Sequence, residues 1–110
     1  MSAQISTGNT NNSGTYSSAI GFQTSAVGDY STAMGYNTTS SASYCTAMGY
    51  ATTASGSTST AMGVNTTASG DGSTSLGNQT IASANNSSAM GASTTASGEV
   101  STAMGYATTA

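Results

Sequence analysis

Residues 101–109 read STAMGYATT, and residues 45–53 read CTAMGYATT. The same word recurs in looser spelling along the chain, and its glycine keeps time: Gly21, Gly35, Gly49, Gly63, Gly77, Gly91 and Gly105 each follow the last by fourteen residues. A fixed period of this kind marks a stack of like supersecondary units. With Ser17 as position one, rungs begin at Ser17, Ser31, Cys45, Ser59, Ser73, Ser87 and Ser101, and the last reaches position ten at Ala110. Gly14 and Tyr16 fit the same frame. Residues 1–16 are therefore expected to form a degenerate first rung or N-terminal cap, ahead of a seven-rung repeat domain over 17–110.

Within a rung, position three is Ala or Ser, position five is Gly and position eight is Thr throughout. A helical period near 3.6 is absent, Gly recurs too often for helix interiors, and β-branched Thr is abundant, so two short strands per rung are the better reading. The fold class is all-β, a parallel β-solenoid of 14-residue rungs. Turns are expected around positions six and seven and around thirteen and fourteen, where the residues become variable and polar. Strand alternation then sends positions one, three and five to one side and two and four to the other. The first set is small in every rung, which suits the inside of a roll so thin that its two sheets nearly touch.

Position four consequently faces outward. Its occupants, Ile20, Met34, Met48, Met62, Leu76, Met90 and Met104, make an exposed apolar ridge of the kind that marks an interface. Burying each such side chain is worth roughly 1.5–3 kcal/mol, whereas Ala, Ser and Gly inside the roll contribute little. The stripe is read as the self-association surface of a trimer or filament. Ala110 ends a strand edge with no capping segment after it, so coverage of that edge by the first rung of another copy, and head-to-tail growth, is the expectation.

Composition removes whole classes of function. The chain has 110 residues, of which 35% are hydrophobic and 3% charged; the formal charge is −3, with no Lys, Arg or His. No cation is present to neutralise phosphates or anionic headgroups, so nucleic acid is excluded as an electrostatic partner, and no apolar run is long enough for membrane insertion as a helix. Ser and Thr abound without an ordinary base to activate them, so the chain is expected not to be an enzyme and to use no cofactor or metal. Asp29, Asp71 and Glu99 all occupy position thirteen and gather charge along one edge. Asp29 and Asp71 are three rungs apart, about 14 Å at the strand spacing of about 4.8 Å, too far for a carboxylate pair. Cys45 replaces the usual Ser at position one and is read as a small buried side chain.

Further features point to surfaces. Phe22, Tyr36, Tyr50 and Tyr106 share position six, while Tyr16, Tyr30 and Tyr44 share position fourteen; each set can stack up one edge and offer flat faces to sugar rings. Positions nine and eleven pair Thr39 with Ser41, Thr53 with Ser55, Thr67 with Ser69 and Thr95 with Ser97, a flat uncharged hydroxyl array of the kind that repeat antifreeze proteins present to ice. The same hydroxyls are possible sites for O-linked glycans. Asn11, Asn37, Asn65, Asn78, Asn85 and Asn86 begin Asn-x-Ser/Thr sequons and are the candidate N-glycosylation positions.

The rung SAIGFQTSAVGDYS at residues 18–31, with STAMGYATTA at 101–110 and its equivalents upstream, resembles the head repeat of trimeric autotransporter adhesins of the YadA type, and is similar to parts of phage and viral tail fibres. The resemblance covers residues 17–110 and rests on the period together with the Ala, apolar and Gly positions. It implies a left-handed parallel β-roll, three copies packed about a common axis with position four inward, on a cell or virion surface. The expected function is a structural extracellular fibre or adhesin that partners itself, as a homotrimer or head-to-tail filament, and a host-surface protein or carbohydrate. The alternative is an ice-binding solenoid using its Thr and Ser rows.

Overall fold

The computed structural model describes residues 5–6 and 8–110. Each full rung contributes one long and one short strand. The long strands are β2 (Ser18–Phe22), β4 (Thr32–Tyr36), β6 (Thr46–Tyr50), β8 (Thr60–Val64), β10 (Thr74–Asn78), β12 (Ser88–Ala92) and β14 (Thr102–Tyr106). The short ones are β3 (Ser25–Ala26), β5 (Thr39–Ser40), β7 (Thr53–Ala54), β9 (Thr67–Ala68), β11 (Ile81–Ala82) and β13 (Thr95–Ala96). With β1 (Ile5–Ser6), the long strands form an eight-stranded parallel sheet in the order β1-β2-β4-β6-β8-β10-β12-β14, and the short strands form a six-stranded parallel sheet. The result is a two-walled rod, 42 × 21 × 10 Å along its principal axes. Only the first rung breaks step: Ile5 lies opposite Ser18, thirteen residues on, while Asn11 lies opposite Ser25 in the ordinary register of fourteen. The part of the expected 1–16 cap that falls on residues 1–4 and 7 lies outside the described residues.

Rungs are joined by backbone hydrogen bonds repeated at every level. The amides of Thr32, Thr46 and Thr60 donate to the carbonyls of Cys45, Ser59 and Ser73 at 2.9–3.0 Å, and in the short sheet those of Thr39 and Thr53 donate to Thr52 and Thr66 at 2.9 Å. The corners need a left-handed backbone. Position seven does so at Gln23, Asn37, Ala51, Asn65, Gln79, Ser93 and Ala107 (φ 54–57°), and position fourteen at Tyr16, Tyr30, Tyr44, Thr58, Asn86 and Val100 (φ 55–61°), with Gly72 there at 68°. Such angles cost an L-residue on the order of 1 kcal/mol, and the bonds above and below hold them. The bend expected across positions six and seven falls on seven and eight, because the φ reversal is at seven; position six is the last residue of the long strand.

The small residues of positions one, three and ten line the interior, but the glycines of position five, expected inside with them, are half-buried or exposed, because a φ of 117–129° breaks the strand alternation there. Ala33, Ala47, Ala61 and Ala89 at position three, Ala54, Ala68 and Ala96 at position ten, and Ser31, Ser59 and Ser73 at position one are buried. Thr24, Thr38, Thr52, Thr66, Thr80 and Thr94 at position eight are the largest side chains inside. Thr80 alone of these six has a partner for its buried hydroxyl: Ser75 Oγ, at position three, lies 2.7 Å from Thr80 Oγ1. Where position three is Ala (Ala19, Ala33, Ala47, Ala61, Ala89), the following hydroxyls of Thr24, Thr38, Thr52, Thr66 and Thr94 have no partner. At position one the pairing varies: Ser40 Oγ meets Cys45 Sγ at 2.6 Å, Ser31 and Ser87 donate to the Gly28 and Ala84 carbonyls at 2.6 and 2.7 Å, and the hydroxyls of Ser59 and Ser73 are unpaired. Ala47→Ser is therefore expected to pair Thr52 and stabilise the roll by about 1 kcal/mol, raising the thermal midpoint by about 4 °C. Ser75→Ala should lower it by a similar amount, and unchanged midpoints for both would mean that the pairing carries no net energy.

Candidate functional site

The roll presents two outward faces. On the long sheet, positions two, four and six alternate away from the core. The position-four residues stand opposite one another in unbroken register, Ile20, Met34, Met48, Met62, Leu76, Met90 and Met104. All but Met104 are half-buried by their neighbours in the sheet, and Met104 is exposed. Beside them runs a second row that the sequence reading missed: Ser18, Thr32, Thr46, Thr60, Thr74, Ser88 and Thr102 at position two, also in register. The alternation that turned position four outward turns position two outward as well, so the signal was present.

Aromatic rings flank this face in the first three full rungs. Phe22, Tyr36 and Tyr50 stack at centroid separations of 5.7 and 5.3 Å, and Tyr16, Tyr30 and Tyr44 at 5.5 and 5.2 Å. Each ring between two neighbours spends both faces on them. Only the rings at the ends of a ladder keep a face free. Tyr106, four rungs beyond Tyr50 in the chain's frame, joins neither ladder, because Val64, Asn78 and Ala92 occupy position six between them.

The opposite, short-sheet face carries hydroxyls. Thr39, Thr53 and Thr67 are in register and half-buried; Ile81 interrupts the row, which resumes at Thr95 and Thr109. Ser41, Ser55, Ser69 and Ser97 at position eleven are exposed beside them, and Ser83 extends their row. Successive residues of a row repeat at about 4.8 Å, and the two rows lie about 6.6 Å apart, two strand residues across. A β-branched side chain held between two like neighbours has little rotamer freedom. The array is therefore regular and stiff, and no charged residue belongs to either row.

Two of the three acids, Asp29 and Asp71, are occupied elsewhere. Asp29 Oδ1 accepts the Thr15 amide at 2.9 Å and Asp71 Oδ1 accepts the Ser57 amide at 3.0 Å; Asn85 Oδ1 takes the Asp71 amide in the same way at 3.1 Å. Position thirteen is thus a side-chain staple between rungs. Cys45 is buried, as its position implied, and its thiol donates to the Ala42 carbonyl at 2.8 Å. Among the described residues, no group of three His, Cys, Asp or Glu side chains is placed to hold a metal ion, and no helix is long and apolar enough to cross a membrane. The sequon residues Asn11, Asn37, Asn65, Asn78, Asn85 and Asn86 are all exposed.

A comparison with curated proteins gives no match. The family model of the YadA head domain repeat, which spans two repeat copies, matches residues 13–38, 40–66, 54–80, 68–94 and 82–108. These matches advance mostly by one rung and cover the long and short strands alike. Rung length, small-residue core and family match agree, and the chain belongs to the YadA head domain repeat family as a structural, non-enzymatic, adhesin-type solenoid of the extracellular or cell surface.

Proposed function

We propose that this surface solenoid binds ice through its short-sheet face. The observation that carries the reading is the pair of registered hydroxyl rows, Thr39, Thr53, Thr67 and Thr95 beside Ser41, Ser55, Ser69 and Ser97, on a face without charge. Ice is a lattice of fixed donors and acceptors, and a partner for it must offer hydroxyls and methyls on a repeat rather than a pocket. Threonine supplies both groups. Because the backbone bonds between rungs fix the face before contact, little ordering remains to be done on binding. Replacing Thr53 and Thr67 by Leu should remove most of the thermal hysteresis while leaving the thermal midpoint near that of the parent. Full hysteresis in that variant, or none in the parent, would sink the reading.

The position-four row favours a second reading, self-association into a trimer or filament. Its apolar side chains lie on the opposite wall from the hydroxyl rows, so one face can join copies while the other stays free. Under this reading the triple change Met48→Ser, Met62→Ser and Met90→Ser lowers the sedimenting mass. An unaltered mass would return those residues to the open surface.

A further inference from the structure

At the corner formed by positions seven to nine of the first rungs, an open depression of about 340 Å³ is lined by Asn9, Asn11, Gln23 and Asn37 together with Thr24 and Ser25. The lining is amide and hydroxyl throughout. Each amide offers two donors and an acceptor, and the corner holds no ionisable side chain; Asp29, on the neighbouring rung path, lies at position thirteen with its Oδ1 engaged by the Thr15 amide. A charged ligand would find no counter-charge here. A ligand with many neutral hydroxyls would find a partner for each.

Phe22 and Tyr36 directly precede Gln23 and Asn37, and their rings stack with centroids 5.7 Å apart and planes 17° from parallel, both close to half exposed. This combination occurs nowhere else in the chain. Tyr50 and Tyr106 are followed by Ala51 and Ala107, while Asn65 and Gln79 follow Val64 and Asn78. Amides and hydroxyls suit the polar rim of a pyranose, and Phe22, the residue before Gln23, stands at the end of its ladder and keeps one ring face free for the apolar face of a sugar. The volume stands at the small end of the range for ligand pockets, which suits one or two sugar rings.

We propose that the amide-lined corner of Asn9, Asn11, Gln23 and Asn37, the last two of which directly follow Phe22 and Tyr36 in the chain, is a binding site for a neutral pyranoside. It adjoins the start of the position-nine row, since Ser25 of its lining lies opposite Thr39, and it differs from that row in being lined by amides.

The test is a titration of the full chain with the methyl glycosides of glucose, galactose, mannose and N-acetylglucosamine, followed through the side-chain amide and aromatic ring resonances in NMR. At least one glycoside should give a saturable shift in Gln23, Asn37 and the Phe22 and Tyr36 rings, with Asn65 and Gln79 still. Gln23→Ala with Asn37→Ala should then weaken binding by about tenfold or more, equivalent to about 1.4 kcal/mol. That variant retains the fold because Ala51 and Ala107 already occupy position seven at φ 55° and 54°, and an unchanged circular dichroism spectrum verifies it. Non-saturating shifts with all four glycosides, shifts spread equally to Asn65 and Gln79, or binding undiminished in the folded double variant would each overturn the site.

Discussion

Replacing Gly49 by Ala is expected to destabilise the roll by about 3 kcal/mol or more, a large part of the 5–15 kcal/mol that holds a typical domain together. Two causes act together. The residue sits at φ 122°, where an L side chain is strained, and its added Cβ would lie 2.1 Å from the Gly63 carbonyl oxygen and 3.0 Å from the carbonyl carbon of the next rung. A flexible neighbour could yield, but this one is backbone bound into the sheet, so relief means prising two rungs apart. Gly105→Ala separates the causes, because there φ is 117° yet the nearest atom is Thr108 Cγ2 at 3.6 Å. That variant should lose only the strain, about 1–3 kcal/mol. Urea melts followed by circular dichroism compare the two, and equal losses would remove close rung approach as the reason for glycine at position five.

Ala61→Leu should cost about 3 kcal/mol or more, at or beyond the upper end of ordinary overpacking. Ala61 is fully buried in a cluster with Cys45, Ala47, Ala54 and Ala68. Side chains of positions three and eight already meet across the roll, as the 2.7 Å contact between Ser75 and Thr80 demonstrates. Three further carbons can enter only if the two sheets separate. Met62→Leu, one residue along and facing outward, is the matched control and should change stability by less than about 1.5 kcal/mol. The reverse ranking in thermal melts would mean that the inner and outer sets had been exchanged.

The glycine spacing was enough to read the rung, and the size contrast between position three and position four was enough to read which way each strand faces. Both are patterns of side-chain volume, which a sequence displays directly. The corners were only half legible. Their left-handed residues include Tyr30, Thr58 and Val100, types that signal strand when met alone, and the bonds from adjacent rungs that hold them are invisible in one rung's letters. The step of thirteen between Ile5 and Ser18 was hidden for the same reason. The hydroxyl rows were legible at positions nine and eleven. The amide corner was not, because Asn9, Gln23 and Asn37 become neighbours only once three rungs are stacked. The pairing of Thr80 by Ser75 looked like an ordinary Ala-to-Ser variation until the walls were seen to touch.

The uniform register of the rungs bears on how such a chain reaches its native state. From residue 11 onward every strand pairs with the strand fourteen residues away and with nothing more distant. The entropy of loop closure is then the same small quantity at every step, and a nucleus of two adjacent rungs can be extended from either side as a zipper. A longer roll of this type would fold by more steps but by none that is harder than the first. Repetition also makes a slip by one whole rung nearly silent, since Gly still meets Gly and Thr still meets Thr. The irregular residues break that degeneracy: a slipped chain would take Tyr30 from Tyr16 and Tyr44, Tyr36 from Phe22 and Tyr50, and the Asp71 carboxylate from the Ser57 amide.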